Sequence, residues 1–136
     1  MDERLALRIE LFRAGGQVRP EVADFVAAEL TALAAEGRTV TEETSGMLTS
    51  HLMMALTRLL DGEAISGTKA DGQIADELAE HPDAVERAGR IAVRAERELG
   101  AALPASEVAF LGMHLAVLGL RSAPDARQDG SRPPVP

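Results

Sequence analysis

The chain of 136 residues has no cysteine, no tryptophan, no tyrosine and a single lysine. Each absence removes a class of chemistry. Without cysteine there is no disulfide, no thiol nucleophile and no thiolate zinc site. Three phenylalanines are the whole aromatic complement, so there is no platform on which bases could stack. Affinity for nucleic acid comes mainly from neutralising phosphates with Lys and Arg. Here Lys69 stands alone, the arginines are dispersed among acids, and the net charge is −8. Direct binding to DNA or RNA is not expected. No stretch approaches the roughly 18 apolar residues of a membrane-spanning helix. The opening MDERLALRIELFR carries acids on an amphipathic pattern, unlike the unbroken apolar run of a secretory signal. These features lead to the expectation of a soluble, cytoplasmic protein that meets no membrane and needs no cofactor.

What is present is Ala, Leu, Val and Met at helical spacing, with no useful period-2 alternation. The class expected is all-α, a bundle of about five or six helices in one domain over residues 1–120. Arg4 to Ala14 forms the first helix, with Leu5, Ile9 and Phe12 on its inner stripe and Leu7 and Leu11 widening it. Gly15-Gly16 stops it, and Pro20 suits the first turn of the next. There Val22, Phe25, Val26, Leu30 and Leu33 share a face, and Gly37 ends the helix. A third helix starts near TVTEE, where Thr39 and Glu42 fit a capping box, and runs to about Leu60, with Gly46 a weak point inside it. Glu63 to Gly72 reads as a loop and Gln73 to Glu80 as a short helix. His81-Pro82 marks the boundary before a charged helix, Asp83 to Leu99, whose thin apolar face holds Val85, Ala88, Ala92 and Ala95, with Ile91 and Leu99 beside it. The last helix opens at LPASE and runs to about Gly119. The polar, proline-rich remainder, 121–136, is expected to be a disordered tail.

Two of these helices place a histidine in an apolar seam, His51 in SHLMMALTR and His114 in EVAFLGMHLAV. Seven residues advance a helix by about 700°, some 20° short of two turns, and by roughly 10 Å. His51 therefore shares its stripe with Thr44 and Arg58, and His114 shares its stripe with Glu107. Within one helix the Glu is too far to bond the ring, whereas an extended Arg58 reaches towards a larger group carried on it. Neither histidine has a hydroxyl or acid at three or four residues' distance, and Ser50 lies about 100° around from His51. No nucleophile–base pair is encoded locally. The plain alternative is that both are part-buried histidines satisfied by a carbonyl. His81, in EHPD, reads as a solvated turn residue, and Met53-Met54 as core filling.

These residues carry a family likeness. SHLMMALTRLLDG together with LPASEVAFLGMHLAVL resembles the PTS regulation domain (PRD) of sugar-responsive bacterial antiterminators and activators. The family's first marker is a helical histidine, preceded as a rule by Asp and followed seven residues later by Arg. His51 and Arg58 match, and Ser50 stands where the Asp is usual. The second marker is an acid near the start of the last helix with a histidine seven residues on, matched by Glu107 and His114. The likeness spans roughly Leu5 to Leu120. It implies a PRD-like helical bundle that forms a homodimer. His51 and His114 would be phosphoryl acceptors, supported by Arg58 and Glu107. The donor would be the histidine phosphocarrier protein or a sugar-specific enzyme II of the phosphotransferase system. Family members usually carry two such modules and a nucleic-acid-binding part. Only one module is seen here, so the output would pass to a separate protein.

The resulting expectation is a phosphorylation-responsive module of sugar-dependent transcription control, and not an enzyme. Its physical basis is independent of the likeness: a neutral imidazole is tolerated in a part-apolar seam, whereas a phosphorylated one, carrying roughly −1.5 to −2 charge, is not. The alternatives are a scaffold or interaction protein that retains the fold without being phosphorylated, and a helical enzyme binding metal through His51, His114 and Glu107. The last lacks the usual His-x-x-x-His or Glu-x-x-His spacing.

Overall fold

Asp2 caps the first helix by accepting the Leu5 amide on its carboxylate, 3.1 Å away, which satisfies a donor that the helix itself cannot. In this computed structural model, which describes residues 1–63 and 76–131 with side chains as far as Leu120, α1 spans Glu3–Ala14, α2 Pro20–Ala35, α3 Glu42–Leu60, α4 Pro82–Leu99 and α5 Ala105–Ser131. A further helical turn covers 76–78. Among the described residues every regular element is helical, and the all-α bundle expected from the sequence is what forms. The loop expected at Glu63 to Gly72, beyond its first residue, and the start of the short helix expected from Gln73 lie outside the described residues.

The helices form two interlocking groups. α1, α2 and α3 pack pairwise, α4 and α5 pack most extensively on each other, and the groups meet where α3 touches α5 and α2 touches α4. One continuous core runs through both, with Leu5, Val22, Val26, Met53, Leu56, Ala88 and Ala95 completely shielded from solvent. The stripe expected on α2 is buried in full, from Val22 to Leu33. Other stripes need correction. Leu7 and Leu11 remain 55% and 62% exposed, because two residues advance a helix by about 200° and carry them to the face opposite Leu5 and Ile9. On α4, Val85 is exposed and the inward stripe is Ala84, Ala88, Ile91 and Ala95, with Arg87 buried among them.

The cap of α3 also differs from the one expected. Thr41, not Thr39, is the N-cap, and the reciprocal bonds run between Thr41 and Thr44. Glu42 is diverted to Arg8 of α1, which clasps both of its carboxylate oxygens. Gly46 leaves room beside that clasp. A Cβ there would stand 3.1 Å from the guanidinium of Arg8, so the helix gives up about 1 kcal/mol of propensity at this position to let the arginine lie flat. At the far end of α4, Gly100 takes φ 77° and its amide bonds back to Glu96, the left-handed stop that favours glycine. α5 continues past Gly119, where the sequence suggested an end, to Ser131.

The core and the unpartnered face of α1 should respond differently to truncation. Leu56→Ala removes a side chain with no solvent exposure and is expected to cost about 2–5 kcal/mol. Leu11→Ala should stay within about 0.5 kcal/mol. Urea denaturation of the two variants measures both.

Candidate functional site

α3 and α5 cross so that the two seam histidines face one cluster. His51, midway along α3, is 39% exposed at its side chain, and its Nε2 lies 2.7 Å from Oε1 of Glu107, whose side chain is 10% exposed. Glu107 sits in the first turn of α5, where the helix dipole favours the ionised carboxylate. The imidazole of His51 rests against the ring of Phe110, centroids 4.4 Å apart and planes at 47°. The other side of Phe110 meets His114 edge-on, centroids 4.5 Å apart and planes at 67°. The order is therefore carboxylate, imidazole, phenyl, imidazole, with three of the four groups drawn from one face of α5. Residues 107, 110 and 114 lie at offsets of three and seven, which places them on that face together.

The sequence supplied both histidines and Glu107 but paired them differently. Glu107 was placed on the stripe of His114 and out of its reach; across the helix crossing it bonds His51 instead. Phe110, within the EVAFLGMHLAV run, stands between the two rings, a placement that single-helix periodicity does not reveal. The spacing within α5 contained the signal for its own residues, but the partner on α3 did not follow from periodicity. Arg58 is not part of the cluster. It is exposed in the last turn of α3, and its side chain makes no hydrogen bond or ion pair among the described residues. Ser50 turns away from His51, as its angle on the helix requires, and accepts a hydrogen bond from Nη1 of Arg8 at 2.8 Å.

The electrostatics divide the two rings. Half-buried and without a hydrogen bond among the described residues, His114 has its pKa lowered, first by desolvation and then by its proximity to His51. It is neutral at neutral pH and keeps a lone pair available. At His51 the Glu107 carboxylate accepts from Nε2–H, and in the neutral ring this arrangement leaves the lone pair on Nδ1. The depressed pKa of His114 has a consequence for stability. A group whose folded pKa lies below its unfolded value binds protons less readily when folded, so its contribution is present above the ordinary histidine range and fades as pH falls through the folded pKa. Between about pH 7.5 and about pH 5.5 the protein is expected to lose stability, and His114→Gln should reduce that loss. Melting temperatures at the two pH values test this.

Among the described residues no group of three or more His, Asp or Glu side chains is placed to hold a metal ion, and no helix is long and apolar enough to cross a membrane. A depression of about 530 Å³ between α1 and the start of α3, lined by Leu7, Leu11 and Phe12 with Arg4 and Arg8, includes neither His51 nor His114.

The site is thus a small helical module in which two histidines meet one aromatic ring at a helix crossing. Comparison with protein families is specific: residues 36–118 match the PRD domain, and the chain belongs to that family. The matched segment contains His51, Arg58, Glu107 and His114. The family is regulatory rather than catalytic and is associated with control by the phosphotransferase system. No curated protein and no solved structure matches the chain.

Proposed function

We propose that the protein is a switch in which His51 and His114 accept phosphoryl groups from phosphotransferase-system proteins, and that modification changes how two copies associate. The observation that carries this reading is the His51–Phe110–His114 stack with Glu107 on its outer edge. It offers two imidazole rings at one seam, one held by a carboxylate and the other desolvated. No base is needed to activate a neutral imidazole, because the lone pair is already free. Glu107 acts as a positioning residue that holds the His51 ring and selects Nδ1 as the attacking atom. The donor is a phosphorylated histidine phosphocarrier protein or a sugar-specific enzyme II, and the signal passes from a homodimer to a separate output protein in the cytoplasm. Arg58, displaced along α3, is free to meet a phosphate only after a change of packing.

The test is incubation with a phosphorylated carrier protein followed by intact mass measurement under alkaline conditions. Acid-labile phosphate is expected on the wild-type chain and none on the double variant His51→Ala/His114→Ala. Glu107→Ala should slow transfer to His51 about tenfold or more, by analogy with the loss of other carboxylate–histidine orienting pairs, while leaving His114 unaffected. A second reading is favoured by Ser50, whose hydroxyl is engaged by Arg8 instead of touching His51. In that reading the fold is retained as a scaffold that takes no phosphate, and complete absence of labelling would establish it over the first.

A further inference from the structure

α2 and α4 carry matching charge patterns on their facing sides. From Glu29, Ala32 and Glu36 follow at offsets of three and seven along α2 and its C-cap, and from Arg94, Arg90 and Arg87 follow at offsets of four and seven in the reverse direction along α4. The outer positions are paired. Arg94 grips Glu29 with two bonds of 2.6 Å. Arg87 binds Glu36 through Nε at 3.0 Å and Nη2 at 2.9 Å. Between the two pairs, Ala32 and Arg90 both line the interface, and neither brings a carboxylate. Between them lies a depression of about 280 Å³ lined by Glu29, Ala32, Glu36 and the three arginines. Arg90 has no ion pair among the described residues. Arg87 is 3% exposed, yet its Nη1 has no hydrogen-bond partner, the nearest carboxylate oxygen, on Glu29, being 3.6 Å away.

A buried guanidinium donor left unmade is costly and uncommon. Here it occurs where an ion-pair ladder lacks one acid, on a face whose three cations outnumber its two anions, in a chain of net charge −8. From these facts we infer that the gap beside Ala32 is a binding site for a small phosphate-bearing anion, which supplies acceptor oxygens to Arg90 and Arg94 and offsets the excess positive charge to which the buried Arg87 contributes. The guanidinium fork matches phosphate oxygens in pairs. The space is slightly below the roughly 300 Å³ at which pockets for larger ligands begin, which suits inorganic phosphate or a short phosphomonoester. The site involves neither His51 nor His114, so it is separate from the histidine seam.

Titration calorimetry of the full chain with inorganic phosphate, and in a second arm with glycerol 3-phosphate, tests the inference against sodium chloride at matched ionic strength. Binding of either anion with one site per chain is expected. Arg90→Ala should weaken it about tenfold or more, in line with the loss of a charge-assisted bond. Ala32→Glu, which provides the missing carboxylate in place, should abolish binding while keeping or raising the melting temperature. Heats no different from chloride for both anions would overturn the inference. So would binding that Arg90→Ala and Ala32→Glu leave unchanged.

Discussion

Glu29→Ala is expected to destabilise the protein by about 3 kcal/mol, the low end of the range for removing one member of a buried ion pair. Glu29 is 6% exposed and is the anchor between α2 and α4, bonded twice to Arg94 and lying 3.6 Å from Nη1 of Arg87. Truncation does two things. Arg94, 29% exposed, can swing to water and recover most of its hydration. Arg87 cannot follow, because its side chain is 4% exposed and the same nitrogen already lacks a hydrogen bond. The cost therefore falls mainly on the charge that stays behind, not on the contact that is lost. That separates this account from simple packing loss. The double variant Glu29→Met/Arg87→Met, which removes the stranded charge together with its acid and fills the volume, should be closer to wild type than Glu29→Ala, since apolar replacement of a buried pair is often neutral and Glu36, 40% exposed, keeps Arg38 as a partner. Thermal denaturation should show a drop of roughly 10 °C for the single variant and a much smaller one for the double. Equal losses in the two would mean that the ion pair contributes no more than its volume.

The fold was largely legible because apolar periodicity and punctuation agree along most of the chain. α2 reads from Pro20 to the Gly37 stop, and α4 from Pro82 to the left-handed Gly100, since each boundary residue has one backbone geometry that it serves well. Errors arose where a residue's partner lies on another helix. Thr39 and Glu42 satisfy the capping-box pattern locally, but Arg8 competes for Glu42 and Thr44 takes over its role. Leu7 and Leu11 look like core in a leucine-rich helix, and only the angular count shows that they face outward. Arginines are rarely buried, and the burial of Arg87 depends on Glu36 across the interface, which no single-helix pattern displays. The candidate site divides in the same way. Which residues carry chemistry was readable, while the pairing of Glu107 with His51 and the placement of Phe110 between the rings depend on how α3 crosses α5.

A phosphoryl group on His51 is expected to weaken the α3–α5 contact by about 2 kcal/mol, or about thirtyfold in the equilibrium between packed and parted helices. In the unmodified chain the ring Nε2–H and the Glu107 carboxylate attract at 2.7 Å. Modification brings roughly −1.5 to −2 charge to the same ring, a few ångströms from an anion whose side chain is 10% exposed. Two like unit charges 4 Å apart repel by about 4 kcal/mol at an effective dielectric constant of 20, and the 39% exposure of His51 allows water to screen about half of that. Among the described residues no cation is paired with this cluster. Arg8 is committed to Glu42 and Ser50, and Arg58 lies two turns along α3. The helices must part, or a second chain must bring its own cations to the seam, and either response alters the assembly. Hydrogen exchange should accelerate in α3 and α5 after phosphorylation, sedimentation velocity should register a changed association state, and the His51→Ala/His114→Ala protein should show neither under the same treatment. In His51→Ala, phosphate on His114 alone should act more weakly, because Glu107 reaches that ring only past Phe110. Stoichiometric phosphorylation of His51 with exchange and sedimentation both unchanged would show that the seam tolerates the charge, and the switch would have to lie elsewhere in the chain.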